Sequence, residues 1–204
     1  MTVRSSYNLY FEYEWHSAST SKKIRAVLET NARAGKYKGI KATYGYIKSD
    51  DEKRTPVIDE YAASIVRRIF EMRAKGYHIR QIAYILNEEN ILSPSDYYYQ
   101  TIGRPKPNGN GHLWSDYSVK CILRNPIYIG NLVQLKTTTV SHKNHKIIKR
   151  DESEWAVVEG NHELIISLEL WNKIREINNS NSRGKRTKKG VTLPLSGLCY
   201  CADC

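Results

Sequence analysis

Helical spacing of apolar residues marks five stretches of the chain. The clearest follows Asp59, where Ala62, Ile65, Val66, Ile69 and Phe70 share a face and Gly76 supplies a stop. A second covers residues 79–88, with Ile79, Ile82, Ala83 and Leu86 turned inward. A short third starts at Ser115, a good N-cap, and points Val119, Ile122 and Leu123 to the core. Ser167 opens a fourth through about Asn178, apolar at Leu168, Leu170, Trp171, Ile174 and Ile177. Residues 1–35 read as a long helix carrying Phe11, Trp15, Ala18, Ile24, Val27 and Leu28, closed by Gly35.

Between these stretches the period shortens. Residues 36–58 interleave glycine, lysine and tyrosine as an extended arm, followed by a hairpin around 49–54. Pro126 cannot continue a helix, so Ile127, Tyr128 and Ile129 are expected to form a strand closed by Gly130. Further strands are expected over 129–136, 145–149 and 155–158, and a long loop over 89–113. Arg67, Arg68 and Arg73 are expected on the wet side of their helix. The pattern predicts an α+β fold: a helix-turn-helix-like helical core with a small antiparallel β-sheet, preceded by a long helix and an extended arm. It divides into a helix at 1–35, a main domain at 36–178, a basic linker at 179–194 and a new unit at 195–204.

Charge narrows the partner. A net +11 over 204 residues points to a polyanion, without choosing among DNA, RNA and anionic membrane surfaces. No run of 18 apolar residues exists to span a membrane, and no charged-then-apolar leader opens the chain. The front of the short helix carries Ser115, Asp116, Ser118 and Lys120, small mixed donors and acceptors that suit base edges in a major groove. Arg124 stands in its last turn, where a cation suits the helix dipole. An ordinary solvated helix face has the same make-up. Arg33, Lys36, Lys38 and Lys41, with Tyr44 among them, could track phosphates or enter a minor groove.

Other candidates are scattered more widely. Gly103-Arg104-Pro105-Lys106 is similar to the core of an AT-hook, which would send Arg104 into an AT-rich minor groove; a phosphate-grazing loop is the alternative. Residues 136–150 hold no carboxylate between Lys136 and Arg150, and with Lys143 and Lys146 they suggest a β-hairpin wing along the backbone. His142, His145 and His162 lack metal-ligand spacing. Cys201-x-x-Cys204 has the spacing of a zinc knuckle but is a half site only.

The run W-S-D-Y-S-V-K-C-I-L-R-N-P-I-Y-I-G, from Trp114 to Gly130, resembles the recombinase domain of the large serine recombinases, the integrase and transposase branch of the resolvase–invertase family. Three blocks match in order: Gly45-Tyr46 followed by Val66-Arg67-Arg68-Ile69-Phe70, then Ile82-Ala83 with Leu86-Asn87, and Trp155 with His162-Glu163 and Ile165-Ile166. The family often has prolines before the Tyr-Gly-Tyr, where this chain has Lys41-Ala42-Thr43.

The resemblance implies sequence-specific binding of double-stranded DNA at an attachment site or transposon end. The arm would lie in the minor groove and the helix from Ser115 in the major groove. It further implies that residues 1–35 end a helix leaving a catalytic domain absent from this chain, and that 195–204 open a zinc ribbon. No cofactor is expected in this chain and zinc is expected in the full-length protein. Self-association of that protein and a bacterial, nucleoid-associated cytoplasmic setting are also implied.

Serine recombination needs a nucleophilic serine among arginines. Arg4-Ser5-Ser6 matches the tripeptide but has no apolar strand before it, so the chain alone is not expected to cut DNA. Two readings from other classes stay open. One is an RNA-binding or scaffold module stacking bases on the tyrosines at 97–99 and 44–46. The other is a metal-dependent nuclease.

Overall fold

The computed structural model describes residues 3–105 and 113–180, with side chains over 14–105 and 113–179. Helix α1 (Val3–Arg33) leads into the arm, and a hairpin of β1 (Tyr46–Lys48) and β2 (Pro56–Ile58) follows. Helix α2 (Glu60–Ala74) is the spine of the core. Its Ala62, Ala63, Val66, Ile69 and Phe70 have no exposed surface. Burying side chains of Ile or Phe size contributes about 1.5–3 kcal/mol each. Asp59 caps the helix, its carboxylate accepting from the Ala62 N–H at 3.4 Å, as the sequence led us to expect.

Helices α3 (Ile79–Glu88) and α5 (Asp116–Ile122) pack together, and α3 also packs on α2. Helix α6 (Leu168–Ser180) lies against α2, with the Trp171 ring stacked on Phe70 at 6.0 Å between centroids. Tyr128 fills the centre. Its ring meets Phe70 and Tyr46, and its hydroxyl donates to the Tyr44 carbonyl at 2.9 Å. The Asn87 side chain locks α3 to the start of α5. Its Oδ1 accepts from the Trp114 N–H at 2.8 Å and its Nδ2 donates to the Trp114 carbonyl at 3.0 Å.

Four expectations need correction. First, Ile127-Tyr128-Ile129 is no strand: Pro126–Ile129 is a turn of 3₁₀ helix. Pro126 takes the first helical position, where its missing N–H costs nothing, and the Asn125 side chain caps the turn by accepting from the Ile127 N–H. Ile127 and Tyr128 are then buried side by side, which an alternating strand would forbid. Gly130 ends the turn at φ +81°, and a Cβ there would stand 2.8 Å from the His162 carbonyl oxygen.

Second, the strands after it are shorter than expected. Strand β3 (Leu132–Gln134) pairs with β6 (Ala156–Val158), and β4 (Thr137–Thr139) with β5 (Ile147–Lys149), both antiparallel. Leu135, at φ +60°, breaks the first strand of this ribbon. The sheet is thus three separate two-stranded pieces.

Third, the long loop contains a helix, α4 (Pro94–Thr101), capped by Ser93 and begun by Pro94. Fourth, Arg73 is not on the wet side. It is 4% exposed, donating from Nε to Asn178 Oδ1 at 3.1 Å and from Nη1 to the Tyr77 carbonyl at 2.9 Å, which ties the ends of α2 and α6 together. Along α1 the helix itself is as expected, but among its described side chains Trp15 is 66% exposed, and Ile24 and Val27 are also outside.

Two consequences can be measured. Asn87→Ala leaves the Trp114 N–H and carbonyl unpaired and should cost about 1–3 kcal/mol, read as a lower urea midpoint at unchanged slope. His162 sets an acid limit. Its Nε2 lies 2.7 Å from the Ile127 carbonyl and its Nδ1 is buried with no partner, so burial pushes its pKa below the ordinary 6.5. The unfolded chain therefore takes a proton first. Stability should hold above about pH 6.5 and fall as pH drops below it, and His162→Gln should flatten that fall in urea titrations between about pH 8 and 5.

Candidate nucleic-acid interface

Helix α5 is short, and its start is fixed by its own serines. The Ser115 Oγ accepts from the Ser118 N–H at 3.2 Å, while the Ser118 Oγ receives the Ser115 N–H at 2.9 Å. The Ser118 hydroxyl also donates to the Ser115 carbonyl at 2.7 Å. This is a reciprocal capping box, with Ser118 standing where Glu or Gln is usual. Both hydroxyls are engaged inside the protein. Asp116, in the first turn, faces Arg80 of α3 across 3.2 Å, an exposed ion pair that bridges the two helices.

What the front of α5 offers outward is therefore Tyr117, Lys120, Cys121 and Arg124. All four are exposed, and Tyr117 is 75% so. They fall at i, i+3, i+4 and i+7, the complement of the buried Val119, Ile122 and Leu123. Tyr117, Cys121 and Arg80 are absent from the sequence-based set. Tyr117 was findable, because the same periodicity that turns Val119 and Ile122 inward turns it out. A hydrogen bond with the neighbouring Cys121 thiol raises the Tyr117 phenol above its ordinary pKa.

The arm is strapped down more than an extended segment would be. Gln134 of β3 holds it in both directions, accepting from the Lys38 N–H at 3.0 Å and donating to the Lys36 carbonyl at 2.9 Å. The Lys36 ammonium pairs with Glu52 at 2.7 Å, and Arg33 pairs with Glu29 at 3.0 Å. The Lys41 ammonium lies over the rings of Tyr98 and Tyr99, at 4.4 and 4.7 Å from their centroids. Lys38 is exposed. Tyr44 leaves the outward set: its ring stands edge-on to Tyr97 and Trp114, each at 5.6 Å, and its hydroxyl is buried without a partner. Burial pushes its phenol far above the ordinary value.

Arg104 is exposed and follows directly on the end of α4. Gly103, at φ +62°, closes α4, with its N–H on the Gln100 carbonyl and the Arg104 N–H on that of Tyr99. Lys106 lies outside the described residues. In the ribbon, Lys143 pairs with Glu14 of α1, and Lys146 is exposed near the tip. The Lys136 ammonium sits 5.4 Å from the centre of the Trp155 ring. Arg4, Ser5 and Ser6 fall within the first turns of α1. Cys201 and Cys204 lie outside the described residues. Among the described residues no group of three or more His, Cys, Asp and Glu could hold a metal ion, and no helix is long and apolar enough to cross a membrane.

Together these features define a basic α+β module with a helix-turn-helix-like pair, α3 and α5, separated by an inserted helix. A family model described as Recombinase matches residues 60–181, well over half of the chain, and the protein belongs to that family. Two solved structures are similar to it. One is described as a crystal structure of an LSR–DNA complex, at 18% identity and a TM-score of 0.49, covering 77% of this chain and 39% of that one. The other concerns the sequence requirements of the Listeria innocua prophage attP site, at 18% identity and a TM-score of 0.46, covering 78% and 51%. The chain thus spans between two fifths and about half of the length of these two.

Proposed function

We propose that this chain is the part of a serine site-specific recombinase that recognises double-stranded DNA, with α5 seated in the major groove. The observation that carries this is the exposed front of α5 (Tyr117, Lys120, Cys121 and Arg124) on a helix anchored at both ends by the core. An α-helix is about 10–12 Å across with its side chains, which matches a major groove roughly 12 Å wide. Lys120 can donate to guanine, and Tyr117 offers a hydroxyl and an apolar ring edge for a thymine methyl. Arg124, Lys136, Lys146 and Lys38 are the exposed cations that this reading assigns to phosphates.

The proposal assigns strand cleavage by a serine, self-association and zinc binding through Cys201 and Cys204 to a longer protein of which this chain is the recognition part. The rival RNA-binding reading loses three of the tyrosines it relied on: Tyr46 is buried, Tyr44 and Tyr97 pack against each other, and Tyr97 donates to Asp59 at 2.6 Å, its pKa pushed up to about 12 by burial and then by that bond.

Competition between a duplex attachment site and single-stranded RNA tests the choice; preference for the RNA would reject it. Within the DNA reading, Tyr117→Ala and Lys120→Ala should each reduce discrimination between target and scrambled duplex, by about 1–3 kcal/mol per lost base contact. Ser118→Ala should instead lower thermal stability by about 1 kcal/mol through loss of the Ser118 hydroxyl's half of the capping box and leave discrimination intact. Fluorescence anisotropy on both duplexes, paired with thermal melts, separates the two effects.

A further inference from the structure

Beyond the end of α5 the surface folds into an open groove of about 500 Å³, formed by α5, the β3–β6 ribbon and α6. Three cations from three elements line it: Arg124 after α5, Lys136 from the ribbon and Arg175 from α6. Trp155, Asn178 and Asn179 line it too, and no carboxylate does. Elsewhere many surface cations stand opposite an acid, as with Arg33 and Glu29, Lys36 and Glu52, Arg67 and Glu60, or Arg68 and Glu89. Three cations and no acid, gathered in a concave surface, form a focused positive field.

Asn178 adds direction. Its Oδ1 accepts from the buried Arg73, whose guanidinium can only donate. The amide oxygen is thereby committed to the protein, and the NH₂ end of Asn178 is left as a donor suited to an acceptor such as a phosphate oxygen. The chain continues from this edge into residues 181–190, which hold Arg183, Lys185, Arg186, Lys188 and Lys189 and no acidic residue.

We infer that this groove carries the sugar–phosphate backbone of the bound duplex, with Arg175, Lys136 and Arg124 as its phosphate contacts and Asn178 as a neutral donor between them. The inference rests on the duplex reading above and adds the path of one strand past the end of α5. Arg124 ties the two together, because it ends the front of α5 and also stands in the groove. Contacts of this kind hold any sequence equally and appear as salt dependence.

The test is duplex binding by anisotropy between about 50 and 200 mM salt. Arg175→Ala should weaken target and scrambled duplex alike and reduce the slope of log K against log salt by about 0.9, roughly a threefold smaller loss over that range. Lys136→Ala should do the same, and Arg175→Lys should retain the wild-type slope. Asn178→Asp is the sharpest variant. Its carboxylate can still accept from Arg73, so melting should show an intact fold, while the new negative charge should weaken duplex binding several-fold.

Wild-type slope and affinity in both Arg175→Ala and Asn178→Asp would overturn the groove while leaving the α5 reading standing. So would a loss confined to the target duplex, or a changed slope seen only with single-stranded RNA. A wild-type chain that binds no duplex at all would overturn both.

Discussion

A seven-residue helix has too few internal hydrogen bonds to persist alone, so everything the surface of α5 can do depends on how the rest of the chain holds it. The anchoring is over-determined. Val119 and Ile122 are buried from below, the serine capping box fixes the first turn, and Asn87 grips the backbone one residue before the cap. The Trp114 indole donates to the Ile91 carbonyl at 3.0 Å, which seats the ring that closes this end of the core. At the far end Asn125 and Pro126 convert the exit into a 3₁₀ turn and deliver Tyr128 to the centre. Together they hold the backbone under Tyr117 and Lys120 from both ends, so no one of them sets that position alone.

The same anchoring explains what could be read in the sequence. Asp59, Ser115 and Ser167 were legible as caps because a small polar residue before an apolar rhythm has one local use. Ile79–Glu88 was legible for its regular apolar spacing. Ile127-Tyr128-Ile129 was not, because β-branched and aromatic residues suit a strand and a buried turn equally, and only the Asn125–Pro126 cap separates the two. Helix α4 had a readable signal in Ser93-Pro94, hidden by the polar, glycine-rich segment after it.

Which residues of the candidate site have partners inside the protein was hidden for a related reason. Spacing showed which face of α5 points outward, yet it could not show that Ser115, Ser118 and Asp116 had partners within the protein. Nor could it show Tyr44 turned in against Trp114, or Arg73 sunk beneath α6, since both depend on residues distant in the chain. A short hydroxyl near a helix start is first a cap, and a long aromatic or cationic side chain beyond it is the better candidate for contact.

Net charge is a poor guide to where a polyanion would lie, because many of the 32 lysines and arginines stand beside an acid. Glu29, Glu52, Glu60, Glu89 and Glu14 each take a cation out of play on the outer faces. Such exposed pairs contribute little to stability, ~0–1 kcal/mol each. Their consequence is spatial: they leave the positive field concentrated where acids are missing. One such place adjoins the end of α5. A surface whose donors discriminate would then meet, through Arg124, one whose charges hold without discriminating. The buried Arg73–Asn178 bond joins the second surface to the core that positions the first. On the duplex reading, a shift of α6 relative to α2 would move the gripping charges against the reading face, and the packing of Trp171 on Phe70 would then serve the geometry of recognition as well as stability.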